Sequence, residues 1–197
     1  MIALALLLSA LQAGSAAQAV RAANDRVRTA LKKYLEAEGP ARNKARTLAR
    51  HAVGELIDFD ALARATLGDK WNSLSPKDRA LYIEALRGAM EANYLYRMRQ
   101  GKNTDVDKLK TEVLGEEKQG DRTLVKTRVR SDQDTVEIDY VMERGKKGWA
   151  AIDVITEGVS LAETYREQVA KLWPKKGLEG VISALEKKRK ALEVEEK

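Results

Sequence analysis

The sequence predicts an α+β domain in which an antiparallel sheet lies between two helical segments. Apolar residues recur at helical spacing as far as Gln100, occupy alternate positions between about residues 105 and 156, and return to helical spacing after residue 160. The predicted strands are joined by short connections, for which an antiparallel meander is the simplest topology. With 197 residues, 44% of them apolar, the chain is long enough to bury a core of its own.

The amino-terminal segment differs from the rest because residues 1–19 carry no charged side chain. Its apolar run is shorter than the ~20 residues that a membrane-spanning helix needs, and Ala17-Gln18-Ala19 has the small residues that signal peptidase accepts. We therefore expect residues 1–19 to be an export signal, cleaved after Ala19. An uncleaved membrane anchor is the alternative.

Residues 20–197 are then expected to form one domain that begins with helices over residues 20–100. The first helix, in which helical spacing is evident from Val27, ends at Gly39-Pro40 because proline cannot continue a preceding helix. A second helix follows. Asp58 is the predicted N-cap of a short third helix, and Gly68 its C-cap.

The strongest helix-start signal of the sequence is Ser75-Pro76 with Asp78. It combines an N-cap hydroxyl, a proline in the first turn and an acidic residue that favours the helix dipole. The signal predicts a helix from Pro76 to about Gln100. Apolar residues on several sides of this helix indicate that it is covered on more than one side.

Residues 105–156 are expected to form a meander of four strands, each with one buried face. The predicted strands are Leu109–Glu117, Thr123–Arg130, Thr135–Met142 and Gly148–Thr156. The last of them follows a turn at Gly145–Gly148.

The carboxyl-terminal part, residues 160–190, is predicted to be helical again. Ser160-Leu161-Ala162-Glu163 is a capping-box sequence that opens a helix. That helix is expected to stop at Pro174, and Leu178 begins the last one.

The composition excludes several classes of function. The chain has no cysteine and a single histidine, His51, which excludes disulfides, thiolate catalysis and histidine-clustered metal sites. Its 36 basic and 30 acidic residues are interleaved, and aromatic residues make up 5%, which argues against a nucleic-acid partner. The sequence contains none of the common nucleotide-binding, serine-hydrolase, zinc-protease or EF-hand motifs. We therefore predict no cofactor, no metal and no catalytic residue.

Asp139 and Asp153 are the strongest candidates for an acid pair. Asp139 alternates with apolar residues and is therefore expected to face solvent, whereas Asp153 is expected to make a local hydrogen bond near the start of a helix. Neither position favours catalysis.

Three segments resemble the MlaC, or toluene-tolerance, family. They are Leu67-Gly68-x-x-Trp71-x-x-Leu74-Ser75-Pro76 before the long helix, Trp149-x-x-x-Asp153-Val154-x-x-Glu157-Gly158-Val159-Ser160-Leu161 with Tyr165-Arg166, and Gly177-Leu178-Glu179-Gly180. They occur in the order in which the family has them, from about Leu56 to Leu185.

The resemblance implies a curved antiparallel sheet of nuclear-transport-factor-2-like type, wrapped by helices around an apolar lipid pocket. It also implies a periplasmic phospholipid carrier of Gram-negative bacteria, with phospholipid as cargo. Members of the family move lipids between an outer-membrane lipoprotein and porin complex and an inner-membrane ABC transporter with an MCE-domain ring. This traffic maintains the lipid asymmetry of the outer membrane.

The pocket is expected to be lined by inward-facing residues of the sheet and of the long helix. Ordinary core packing is the alternative at each position, because periodicity shows only that a side chain faces inward, not what it meets there. The candidate lipid-binding residues are Leu86, Met90, Tyr94, Val125, Val129, Val136, Ile138, Tyr140, Met142, Ile152 and Val154.

Two other functions fit the same residues. A carrier of another amphiphile, such as a hopanoid, would need the same apolar lining. An enzyme on the same curved sheet is disfavoured, since the inward-facing positions offer Tyr140 and threonines without a partner carboxylate or histidine.

Overall fold

The computed structural model describes residues 14–100, 106–132 and 134–195. Within these residues, four α-helices precede a five-stranded sheet and a long helix follows it, which confirms the predicted α+β order. The helices are α1 (Ala16–Glu36), α2 (Gly39–Gly54), α3 (Phe59–Leu67), α4 (Pro76–Gln100) and α5 (Leu161–Glu195); the strands are β1 (Lys110–Gln119), β2 (Arg122–Arg130), β3 (Thr135–Gly145), β4 (Gly148–Thr156) and β5 (Val159–Ser160). The apolar run Ile2–Leu8 of the predicted export signal lies outside the described residues.

Local hydrogen bonds at the helix ends explain why α3 and α4 begin where the sequence predicts. The Asp58 carboxylate accepts from two backbone amides of the first turn of α3, and Gly68 ends that helix with a φ of 56°. At α4, the Ser75 hydroxyl accepts from the Asp78 amide at 3.1 Å and donates to the Asp78 carboxylate at 2.8 Å.

Helix α1 begins earlier than the apolar spacing from Val27 indicates. Ser15 is its N-cap: the Ser15 hydroxyl accepts from the Gln18 amide at 3.2 Å, and the Gln18 side chain accepts from the Ser15 amide at 2.9 Å. This reciprocal pair satisfies two amides that the first turn leaves without partners. The helix therefore includes Ala17–Ala19, the segment before the predicted cleavage site.

The sheet is an open antiparallel meander with strand order β1-β2-β3-β4-β5. Register shifts at Val113/Gly115 and at Val141/Met142 are β-bulges, which bend strands and increase their twist. They give a curved sheet whose two edges do not pair with each other.

The alternation of apolar residues predicts four strands and does not reveal the short strand β5. Glu157 and Gly158 have φ angles of 49° and 76°, so a two-residue turn reverses the chain and pairs Val159–Ser160 with β4. A left-handed glutamate is uncommon. Here the Glu157 amide donates to the Glu137 carbonyl at 3.0 Å, and its carboxylate accepts from the Glu137 amide at 2.6 Å.

The predicted break at Pro174 is displaced by three residues. Helix α5 passes through Pro174, and its backbone leaves the helical conformation at Gly177, where φ is 56°. Proline lacks an amide donor but leaves the residues after it free to stay helical, whereas a positive φ changes the direction of the chain.

Apolar side chains gather in three clusters. The largest, here called the helical core, joins α3, α4 and α5 and includes Leu62, Leu86 and Val169. The second lies between the start of α1 and the sheet, and the third joins the end of α1 to α2 and the end of α4. Among the described residues, no helix is both long enough and apolar enough to cross a membrane.

Candidate functional site

The predicted strand residues share one face of the sheet. In an antiparallel pair, residues directly opposite each other point to the same side. Val125 lies opposite Tyr140, and Tyr140 in turn lies opposite Val154. By the same rule and the two-residue alternation, the predicted strand residues on this face are Val125, Val129, Val136, Ile138, Tyr140, Met142 and Val154. We call this side the inner face.

The middle of the inner face is covered by α1. Val125 and Met142 are fully buried and pack with Ala16 and Val20 of α1, which are 1% and 0% exposed. Small alanines allow the helix to approach the strands closely. This part of the inner face is ordinary core.

One end of the inner face is polar. A groove of about 480 Å³ lies there, bordered by Lys118, Arg144 and Trp149 among others. The Trp149 indole donates to the Gly14 carbonyl at 2.8 Å, and the Glu116 carboxylate accepts from the Ala17 amide at 2.9 Å. These two bonds fix the first turn of α1 at the boundary between the polar end and the covered middle.

The opposite end of the inner face is apolar and incompletely covered. Val129, Val136, Ile138 and Val154 are each only partly buried, although they stand in the same rows as the fully buried Val125 and Met142. Together with Tyr140 we call these residues the open row. Part of their apolar surface therefore stays accessible.

Tyr94 of α4 and Tyr140 of β3 lie close to each other beside the open row. Burial raises the pKa of Tyr140 to about 12. Burial also raises the pKa of Tyr94, with a smaller contribution from the neighbouring Tyr140. Yet both residues keep accessible surface. We infer from this combination a narrow space between α1, α4 and the sheet, which we call the cleft.

The Tyr140 hydroxyl also reaches α1, where it donates to the Asn24 side-chain oxygen at 3.2 Å. This bond joins the sheet to the helix at the inner limit of the open row.

The sequence matches the family described as "MlaC protein" over residues 21–187. The chain belongs to the MlaC family. Among solved structures, it is similar to a phospholipid-binding protein from Ralstonia solanacearum in complex with a phospholipid, with a TM-score of 0.76 and 19% sequence identity. That similarity covers 91% of this chain and 99% of the other. A comparison with curated proteins gave no match.

The MlaC resemblance found in the sequence is therefore confirmed, and so is a fold of helices around a curved antiparallel sheet. Two of the predicted pocket residues, however, lie elsewhere. Leu86 and Met90 belong to the helical core, where they are 0% and 7% exposed, and the structure does not bring them to the inner face. Their four-residue spacing places Leu86 and Met90 on the same side of α4 as Tyr94. Helix α4 is 25 residues long, however, and different elements pack against this side along its length.

Ile152 is the extra residue of the bulge in β4. Met142 pairs with Ala151 and Val141 with Asp153, so Ile152 has no partner in β3. It is partly buried. The regular alternation of the strand therefore does not assign it to the inner face.

The start of α1 contributes to the inner face, which was not predicted from the sequence. Ala16, Val20, Ala23 and Val27 stand at helical spacing, and the first three are buried against the sheet. That spacing could have identified the helix, but residues before Val20 were assigned to the export signal. Asn24, which bonds Tyr140, lies on the same segment.

The two carboxylates that were considered for catalysis are engaged in this MlaC fold. Asp153 accepts from the Ala162 amide at 2.9 Å and from the Ser160 hydroxyl at 2.6 Å, so it caps α5. Asp139 accepts from the Thr127 amide at 3.3 Å. Within residues 14–100, 106–132 and 134–195, no cluster of three or more metal-ligating side chains occurs.

Proposed function

We propose that this protein of the MlaC family is a phospholipid carrier that holds its cargo against the open row. The observation that carries the proposal is apolar surface that stays partly accessible, although it lies in the same strands as the fully buried Val125 and Met142. A row of this kind costs free energy in water and favours an apolar ligand.

An acyl chain supplies such a ligand. Each buried methylene contributes about 0.8 kcal/mol, so two long chains are penalised by roughly 20 kcal/mol in water. A carrier must cover both chains, whereas it has no need of a nucleophile or an acid-base pair. The solved relative from Ralstonia solanacearum was obtained with a phospholipid, and this supports the choice of ligand.

We further propose that the carrier works in the periplasm. It would receive and deliver lipid between an outer-membrane lipoprotein and porin complex and an inner-membrane ABC transporter with an MCE-domain ring, and so maintain outer-membrane asymmetry. Membership of the MlaC family supports this placement. Export through a signal cleaved after Ala19 fits the same role.

A carrier is favoured over an enzyme on the same fold. Asp153 caps a helix and Asp139 accepts a strand amide. Both alternate with residues of the inner face, so neither faces Tyr140 as a general base. A carrier of a hopanoid or another amphiphile remains the second candidate, because the open row offers apolar surface to any such molecule.

Mass spectrometry of the bound molecule tests these choices. The protein is purified from a Gram-negative periplasm without detergent, extracted with organic solvent and analysed. We expect phospholipid at no more than one molecule per chain. A hopanoid in its place would favour the second candidate, and protein free of any amphiphile would contradict the carrier function.

A further inference from the structure

The side-chain amide of Asn24 is incompletely satisfied. Its oxygen accepts from the Tyr140 hydroxyl, but its nitrogen, Nδ2, is buried and has no hydrogen-bond partner among the described residues. A buried donor without an acceptor costs about 1–3 kcal/mol. A leucine at this position would avoid that cost. The presence of an unsatisfied asparagine therefore favours an acceptor that belongs to a bound molecule.

The position of Asn24 restricts what that acceptor can be. Asn24 lies on α1 at the inner limit of the open row, beside Tyr140 and therefore close to Tyr94. Apolar side chains follow on the sheet, at Ile138 and Val136. A molecule that fills this cleft should be hydrocarbon along most of its length and carry a hydrogen-bond acceptor at one point.

A diacyl glycerolipid has this combination, because an ester carbonyl joins each acyl chain to the glycerol. We propose that the Asn24 Nδ2 group donates a hydrogen bond to an ester carbonyl of the bound lipid, and that Tyr140 holds the amide in the orientation this requires. The inference rests on the proposed carrier function. It adds that the protein recognises the acyl linkage and not only the length of the chains.

Ester and ether lipids provide a test. A dialkyl ether analogue keeps the chain length and the headgroup but has no carbonyl, and its ether oxygens are weaker acceptors. Delipidated protein is incubated with an equimolar mixture of dipalmitoyl phosphatidylglycerol and the dihexadecyl ether analogue, then separated and extracted. Mass spectrometry gives the ratio of the two bound lipids. We expect the ester to be favoured about 3- to 10-fold, the range of one neutral hydrogen bond.

Two variants attribute the preference to Asn24. Tyr140→Phe removes the bond that orients the amide but keeps the free donor, so the preference for the ester should decrease without being lost. Asn24→Leu combined with Tyr140→Phe replaces both partners with apolar groups and leaves no orphan hydroxyl. In this double variant the ratio should fall to about 1 while lipid is still bound. Thermal unfolding of both delipidated variants shows whether they remain folded.

The outcomes separate this inference from the proposed function. Binding of both lipids at equal levels by the unmodified protein would overturn the role of the carbonyl and leave the carrier intact. The acceptor would then be a buried water or a phosphate oxygen. An ester preference that survives in the folded double variant would also overturn it. Binding of neither lipid would overturn the carrier function, and this inference with it.

Discussion

The helical core and the open row come from similar apolar patterns, but the structure covers them to different degrees. In the helical core, Leu62 and Leu86 of α3 and α4 meet side chains of α5, and both are at most 1% exposed. In the open row, Ile138 and Val136 alternate as regularly, yet they stay partly exposed. Periodicity sets the direction of a side chain, whereas the element opposite decides whether it becomes core or binding surface.

The largest expected effect contrasts one residue from each region. Leu86→Ala should lower the free energy of unfolding by about 2–5 kcal/mol, because it removes a fully buried side chain and leaves a cavity. Ile138→Ala should cost less in delipidated protein, since part of that side chain already faces solvent. Denaturant unfolding of both variants measures the difference. Equal costs would show that the open row is packed as tightly as the helical core.

A bulkier side chain in the open row separates lipid contact from core packing. Ile138→Trp should place its ring where lipid otherwise lies, and so lower lipid occupancy while the stability of delipidated protein stays nearly unchanged. If Ile138 were core, overpacking would cost about 1–3 kcal/mol. Stability must be compared after delipidation, because bound lipid itself stabilises the native state.

Glu137→Trp is the matched control for this substitution. Glu137 is the neighbour of Ile138 in β3, is exposed and points to the other side of the sheet. Neither lipid occupancy nor stability should change. If Ile138→Trp and Tyr140→Trp both lose stability but keep full lipid occupancy, the inner face is not the lipid-binding surface. The binding surface would then be the opposite face, around Leu124 and Val141.

A smaller effect is expected at the boundary between the covered middle of the inner face and its polar end. A recombinant chain that begins at Val20 lacks the Ser15 cap, the buried Ala16 and the bond from Trp149 to Gly14. It should be about 1–2 kcal/mol less stable than a chain that begins at Gly14. The comparison is made by thermal unfolding.

The intact mass of the exported protein shows which of these two starts is natural. Cleavage after Ala19 predicts Val20 as the first residue. Equal stability of the two recombinant chains would mean that the first turn of α1 contributes nothing to the inner face.

The smallest effect is expected where the sheet joins α5. Asp153→Ala removes acceptors for the Ala162 amide and the Ser160 hydroxyl, and should cost about 1 kcal/mol without changing lipid occupancy. Asp139→Ala removes one longer bond to the Thr127 amide and should cost less. A loss of lipid in stable Asp153→Ala protein would show a role beyond capping.

Features fixed by local hydrogen bonds were predictable from the sequence. Ser75 and Pro76 determine the start of α4, and Asp58 and Gly68 delimit α3, because each acts on backbone groups within a few residues. The strand rows and their common face followed from two-residue alternation. The carboxylate of Asp153 was correctly predicted to make a local hydrogen bond.

Features that depend on distant partners were not predictable. Strand β5 forms because a two-residue turn brings Val159–Ser160 back to β4. Two residues are too few to show an alternation of apolar and polar side chains. The first turn of α1 has an alanine-rich composition that also suits an export signal. Leu86 and Tyr94 share a stripe of α4, and only the packing of α5 and the sheet shows that they have different neighbours.

The contacts of the first turn of α1 also bear on how the chain folds. Ala17 bonds a residue 99 positions later, and Gly14 bonds one 135 positions later. Helix α1 is synthesised before the strands that receive it, which follow only at residues 110–156, and an isolated helix is only marginally stable in water. Contacts of such long range form slowly. We therefore expect α1 to dock late, so that Val125 and Met142 stay open to aggregation or chaperones until it does.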